Sequence, residues 1–397
     1  MISYSEGLAK ILSYAKQFSF ESVPLKLSNN RVLAEEVRAD RDYPPFNRSA
    51  MDGFTISSSD YSENKIYHYR RELPAGSSFQ LEKGEEAIRI MTGAPVPIGL
   101  DVVIKIEDSL LSEEDNNGKR VSFSLESVRP WQNIAKKGED LHEGDTVLLP
   151  GHTLGTSEIS MLASLGKSFV SVAVLPKVQI ISTGNEILSI DQTPLDWQIR
   201  DSNSYTISSI LSKYKIIPES VKNIPDEETL LTEAIAKGLE SDILILSGGV
   251  SMGSLDLVPS ILQKLGVGLV FHKVQIKPGK PIWFGKRGNT IVFGMPGNPF
   301  SVQTCSRIFL EPFLRASMGQ KQNPVMRLPI SGTRNKKGSF TEFFPVRLDT
   351  KDKTYLSTVP FNGSGDIRAG LFSDGLAVHP SDSVQIREGD WVEFLPW

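Results

Sequence analysis

A single cysteine, Cys305, stands in 397 residues, so the chain can form neither an intramolecular disulfide nor a cysteine-rich metal centre. Cys305 lies in the apolar run PFSVQTCSRIFLEPFL, which reads as a helix, and is assigned to the core. The five histidines are scattered without H-x-x-x-H or H-x-H spacing, which argues against a zinc site. No apolar run approaches the roughly 20 residues of a membrane span. The N-terminal residues also lack the basic, apolar, small-residue order of a secretory signal, so a cytoplasmic protein without membrane contact is expected. With 43 basic against 47 acidic residues the formal net charge is −4, without the basic excess usual in nucleic-acid binding. Neither G-x-x-x-x-G-K-[ST] nor a G-x-G-x-x-G after a strand-like run occurs, which weakens P-loop ATPase and dinucleotide readings.

What is present is organised around Asp242–Pro299. Three short runs rich in Ile, Leu and Val end in the loops SGGVSMGSLD, KPGKP and MPGNP, and an upstream copy, KVQIISTGNE, adds a fourth. Runs of this kind resemble buried parallel strands, whose carboxyl ends form the ligand rim of an open α/β sheet. Strand and helix patterns alternate through this region, predicting a doubly wound α/β domain over 175–322. Upstream, SYSEGLAKILSYAKQF over residues 3–18 has helical spacing, NNRVLAEEVRAD reads as a short helical or strand-edged segment, and TSEISMLASLG reads as a helix with a Thr156 or Ser157 cap and a closing Gly166. Between them, Phe54 to Arg129 reads as short strands and turns. The expected plan is therefore a discontinuous helical framework domain (1–46 and 136–174), a β insertion domain (47–135), the α/β domain and a C-terminal β domain (323–397).

The loops suggest chemistry. A strand ending in glycines before a helix leaves backbone N–H groups free for an anion, as SGGVSMGS would. Lys277 and Lys280, held close on a Pro-Gly turn, repel each other unless an anion such as phosphate or another tetrahedral oxyanion sits near them; a solvated turn is the plainer alternative. Glu186, Asp201 and Asp256 face the same predicted rim, and carboxylates beside phosphates suit Mg²⁺, which enters through one or two carboxylates plus substrate phosphate. Far upstream, Pro44 and Pro45 brace a turn that presents Asp52 before Gly53, or simply form surface, and RIMTGAPVP offers Thr92 beside Gly93.

Taken together and in order, STGNE, DSN, SGGVSMG-x-x-D, KPGKP and MPGNP resemble the MoeA family, the molybdenum-insertion enzymes of molybdenum cofactor synthesis, to which the gephyrin E domain is similar. PPFNRSAMDGF, RIMTGAPVP, KKGED and GSGDIR at Gly363–Arg368 extend the resemblance over nearly the whole chain. It implies an elongated four-domain subunit: a molybdopterin-binding α/β domain like that of the small MogA proteins, a β insertion, a helical framework and a C-terminal β-barrel-like domain. It further implies a homodimer whose site lies in the cleft between the α/β domain of one subunit and the β insertion of the other. The implied reaction is transfer of molybdenum from molybdate, the co-substrate, into adenylated molybdopterin, with Mg²⁺ and release of AMP. Contact with the molybdopterin adenylyltransferase that makes the substrate is a further implied partnership.

On that resemblance Lys277 and Lys280 hold oxyanion oxygens, assisted by Ser364 and Arg368, and the backbones of Gly248, Gly249 and Gly253, with Ser251, cradle phosphates. Pro296 and Pro299 frame the last loop; Asp201 and Asp256 orient pterin, nucleotide or Mg²⁺; and Glu186 is a metal-side or water-orienting carboxylate. Asp52, Thr92 and Asp140 complete the cleft from the other subunit. Four departures from that pattern stand out: Asn185 where the family commonly has aspartate, Trp131 where glycine is common, AKK in place of a more arginine-rich segment, and RAGLFSDGL after GSGDIR. Two other functions compete with molybdenum insertion. Adenylyl transfer from ATP to molybdopterin uses a similar α/β domain, but those proteins carry Thr-Gly after SGG and lack the β insertion. A gephyrin-like scaffold would need a fused partner or long linker, and this chain shows neither.

Overall fold

Ile243–Ser247 shows how the centre of the chain folds. Side chains alternate across a strand, and here Ile243 and Ile245 enter one core with Ile180, Phe293 and Phe300, while Leu244 and Leu246 enter another with Leu231, Ile235, Val258 and Leu262. A strand apolar on both sides is stable only with a layer on each face, which is why the run is continuous rather than alternating. Each such side chain contributes about 1.5–3 kcal/mol on burial.

The structure, a computed structural model, describes residues 1–77, 86–115, 118–250 and 257–397. They form two compact units, Met1–Glu35 with Pro150–Trp397, and Glu36–Leu149.

The larger unit begins with α1 (Tyr4–Ser13), shorter than the 3–18 its spacing suggested, and started by a reciprocal cap in which Ser3 N donates to Glu6 Oε2 (2.8 Å) and Glu6 N to Ser3 Oγ (3.2 Å). Helix α2 (Thr156–Ser164) starts one residue earlier than expected: Gly155 is the cap, its N–H donating to Glu158 Oε2 at 3.0 Å. The α/β domain follows as β1 (Val178–Thr183), α3 (Asn203–Ser212), β2 (Ser220–Ile224), α4 (Glu228–Gly238), β3 (Ile243–Ser247), α5 (Leu257–Lys264), β4 (Gly268–His272), β5 (Trp283–Arg287) and β6 (Thr290–Met295). Helix α6 (Pro299–Cys305) runs through a π-helical turn, Ser306–Leu310, into α7 (Glu311–Ser317), with Cys305 wholly buried.

The sheet order is β2-β1-β3-β6-β5-β4. Its first four strands are parallel, and β5 lies antiparallel between β6 and β4. Here one expectation fails. The KPGKP run does not end a parallel strand of this sheet; it lies in the connection between the antiparallel strands β4 and β5, and Ile276–Lys277 pairs, in parallel, with Thr341–Glu342 of the C-terminal module instead. Apolar content alone does not distinguish the two pairings.

That module contains β7 (Met326–Ser331), β8 (Thr341–Asp349), β9 (Tyr355–Thr358), β10 (Gly375–His379) and β11 (Trp391–Pro396), with the short helix α8 (Arg368–Leu371) before β10. Pairing in the order β8-β9-β7-β11-β10 and back to β8 closes a five-stranded barrel around Phe344, Val346, Leu356, Ala377 and Phe394. Phe343 and Leu376 point the other way, into the core shared with α6 and α7.

The smaller unit is built of strands. Gly53–Ile56 lies between Ile88–Ile90 and Val102–Lys105, and Gly118–Phe123 lies between Tyr67–Tyr69 and Ser109–Asp115. Phe54, Tyr67, Tyr69 and Phe123 fill the space between them. Among the described residues no helix is long and apolar enough to cross a membrane.

Candidate functional site

Register places three loops on one rim, since Ser182 of β1 is level with Ser247 of β3, and Ser247 with Met295 of β6. Gly248 follows with φ +91°, and a Cβ there would lie 2.3 Å from Thr183 O, so only glycine lets this loop cross the end of β1. Asn203, at the start of α3, ties the loops together: its Nδ2 donates to Ser247 Oγ at 3.0 Å and to Gly297 O at 2.7 Å. Asn185, the departure from aspartate, accepts from Asp226 N at 3.1 Å, while Asp226 accepts from Thr183 Oγ1 at 2.6 Å. Ser251, Gly253 and Asp256 lie outside the described residues.

Beside this rim lies a cleft of about 680 Å³. Lys277, Lys280 and Pro281 line it from the lysine turn, and Pro296, Asn298 and Ser301 from the loop after β6 and α6. Gly363 and Ser364 line it from the C-terminal module, with Arg334, Phe340 and Glu342. Asn298 Nδ2 donates to Ser364 Oγ at 2.7 Å, which joins two of the sequence-selected loops directly. The lysine turn is set by packing: Cys305 Sγ donates to Gly279 O at 3.7 Å, and any Cβ on Gly279 would meet that sulfur at 2.4 Å. Burial pushes the Cys305 thiol well above its ordinary range, so it serves here as a buried wall rather than a nucleophile. Pro299 opens α6. Arg368 starts α8, pairs with Asp366 at 3.4 Å and is not among the residues lining the cleft.

The carboxylates divide. Asp201 is buried, and its Oδ1 accepts from Ser204 N at 3.0 Å, holding the first turn of α3 and leaving Oδ2 outside that bond. Glu186 is exposed beside Gly184, at the start of a two-residue parallel ladder in which Ile187 pairs with Ile199. Among the described residues no three His, Cys, Asp or Glu side chains converge as a metal cage. Mg²⁺ keeps most of its water and asks for only one or two carboxylates, so the absence of a three-ligand cage does not bear on such an ion.

In the smaller unit Asp52 and Thr92 meet, although 40 positions apart. Asp52 Oδ1 accepts from Thr92 N at 2.6 Å and from Thr92 Oγ1 at 2.8 Å, and these bonds hold its carboxyl below the usual range. Asp140 is exposed, its N–H donating to Tyr43 O at 3.0 Å. Trp131 has φ +67°, the left-handed region that glycine adopts most readily, and its ring lies 5.0 Å from Lys136 Nζ.

Sequence reasoning missed Asn203, Asn298, Arg334 and Glu342. Glu342 carried a usable signal, being an acid inside the apolar run FTEFFP, where a buried position demands a partner.

Family models match the chain in three blocks: the MoeA N-terminal region (domain I and II) over residues 2–166, a probable molybdopterin binding domain over 179–316, and the MoeA C-terminal region (domain IV) over 327–397. A molybdopterin molybdenumtransferase of Haemophilus influenzae is 36% identical over 409 residues, covering 100% of this chain and 99% of that protein. The chain belongs to the MoeA family. A Synechocystis relative of the same name is 30% identical, with 100% of both chains covered. A crystal structure of the molybdopterin biosynthesis moeA protein from Pyrococcus horikoshii superposes with a TM-score of 0.83 at 28% identity, covering 100% of each chain. The MoeA arrangement of an α/β domain and a C-terminal barrel is thus present here throughout the chain.

Proposed function

We propose that this MoeA-family enzyme is a molybdopterin molybdenumtransferase that takes adenylated molybdopterin and molybdate and releases AMP with the molybdenum cofactor. The observation that carries the reading is the cleft in which Lys277, Lys280, Ser301 and Ser364 face one volume beside the glycine rim of a parallel sheet. Lysine ammonium groups and hydroxyls are oxyanion donors, and the Gly248 turn supplies backbone close to a phosphate chain. The family match on both sides of the molybdopterin-binding block supports metal insertion over adenylyl transfer, which needs only that block.

In this reading Lys277 and Lys280 bind the oxyanion, Ser364 and Asn298 orient it, and Gly248, Gly249, Ser251 and Gly253 carry the phosphates. Glu186, Asp201 and Asp256 hold Mg²⁺, which supplies neutralisation of phosphate charge. Asp52, Thr92 and Asp140 serve the site from a second subunit of a homodimer.

The test is AMP release from adenylated molybdopterin with Mg²⁺, with and without molybdate. Molybdate-dependent AMP is expected, and AMP release indifferent to molybdate removes the reading. Lys277→Ala is expected to lower the rate by roughly tenfold or more, the scale of a lost charged hydrogen bond, while Lys353→Ala, on an exposed turn of the C-terminal module, stays near the parent rate.

A further inference from the structure

Among the described residues the cleft holds a cation that the sequence motifs do not supply, Arg334. Arg334 lines it from the C-terminal module, just before β8, and its guanidinium is fixed on three sides. Nη2 pairs with Glu342 Oε2 at 2.8 Å, the plane lies over the Phe344 ring at 4.3 Å, and Nη1 is 3.5 Å from His379 Nδ1. Its side chain is only 19% exposed. Glu342, at 8%, is the single acid in the lining among the described residues, and its other oxygen lies 3.7 Å from Lys277 Nζ, a lysine that is itself 70% exposed.

Among the described residues, Lys277, Lys280 and Arg334 against Glu342 give the lining three positive charges to one negative, a surplus of two. A guanidinium is flat, permanently charged and presents paired N–H donors, so it suits a tetrahedral oxyanion better than a second mobile ammonium does. A surplus of two matches a doubly charged anion. Glu342 holds one edge of the guanidinium and draws the exposed Lys277 towards it, so the cation group is arranged before an anion arrives.

We propose that Arg334 is a binding residue of this cleft, the fixed cation around which Lys277 and Lys280 close on a tetrahedral dianion. The inference rests on the oxyanion reading above. Two sources share that chemistry: free molybdate and the phosphate of the nucleotide.

The experiment measures binding to the full-length protein by equilibrium dialysis at constant ionic strength, with molybdate alone in one arm and AMP alone in the other. Arg334→Ala is expected to weaken one of the two by at least about tenfold, equivalent to about 1.4 kcal/mol. Loss in the molybdate arm assigns Arg334 to the metal oxyanion, and loss in the AMP arm assigns it to the nucleotide phosphate. Arg334→Lys keeps the charge and loses the fork, and is expected to fall between Arg334→Ala and the parent; it also decides the matter if the alanine variant does not fold. Parent-like affinity of the folded variants for both ligands overturns the proposal and leaves the function reading intact. A parent protein that binds neither ligand overturns both.

Discussion

Asp52 is the plainest case of a side chain whose neighbour sets its chemistry. Two donors from Thr92 converge on one carboxylate oxygen, and hydrogen bonds to the charged form lower a carboxyl pKa, with Arg89 adding a smaller attraction. Folding therefore favours ionised Asp52. Its contribution is present above the ordinary carboxylate pKa and is lost as pH falls through the depressed folded value. Thr92→Val removes the hydroxyl donor and keeps the backbone one. The Asp52 carboxyl is then expected to titrate higher than in the parent while remaining below a free aspartate, which carbon-detected NMR on labelled protein reads directly. An unchanged titration would mean that the hydroxyl bond contributes nothing to the ionised state.

Elements place what residues cannot. Gly248 is fixed by the end of β1, because Thr183 O occupies the space a Cβ would need. Gly248→Ala has to displace a strand end and hold alanine at φ +91°, so a loss of about 1–3 kcal/mol in stability is expected. The substitution should also misplace the Ser247–Asn203–Gly297 connection. Urea unfolding together with AMP release checks this; stability and turnover equal to the parent would contradict the close approach. The glycine loops were legible in the sequence because strands with two apolar faces announce a covered sheet, and glycines at their ends announce a tight crossing. The pairing of the KPGKP flanks was not, because Phe271, Ile276 and Trp283 are apolar whether their strands run parallel or antiparallel. Nor was Arg334, which reaches the cleft only because β8 and the loop ahead of it return to the lysine turn from far along the chain, a placement set by barrel closure rather than by any local pattern. Asp201 was selected as a ligand and is observed bonding the first turn of α3, a role the same residue type at the same spacing satisfies equally well.

At the scale of the molecule, the residues chosen for one reaction sit in two compact units: Lys277, Lys280 and Ser364 in the larger, Asp52 and Thr92 in the smaller. The reading proposed above joins them across a twofold dimer, and such a dimer carries two equivalent composite sites. This arrangement makes a prediction that no single variant can make. Asp52→Ala and Lys277→Ala should each be nearly inactive as homodimers. When equal amounts are mixed under conditions that exchange subunits, half of the dimers become hybrids. One of the two sites in each hybrid then draws its Lys277 face and its Asp52 face from unaltered units, while the other site carries both substitutions. Activity should therefore return to roughly a quarter of the parent rate, measured as molybdate-dependent AMP release after mixing, with light scattering confirming two subunits per particle. If Asp52 and Lys277 of the same subunit serve the same site, both sites of every hybrid carry one substitution and mixing restores nothing. That outcome would move the site into a single subunit while leaving the oxyanion cleft, which lies wholly within the larger unit, where it is.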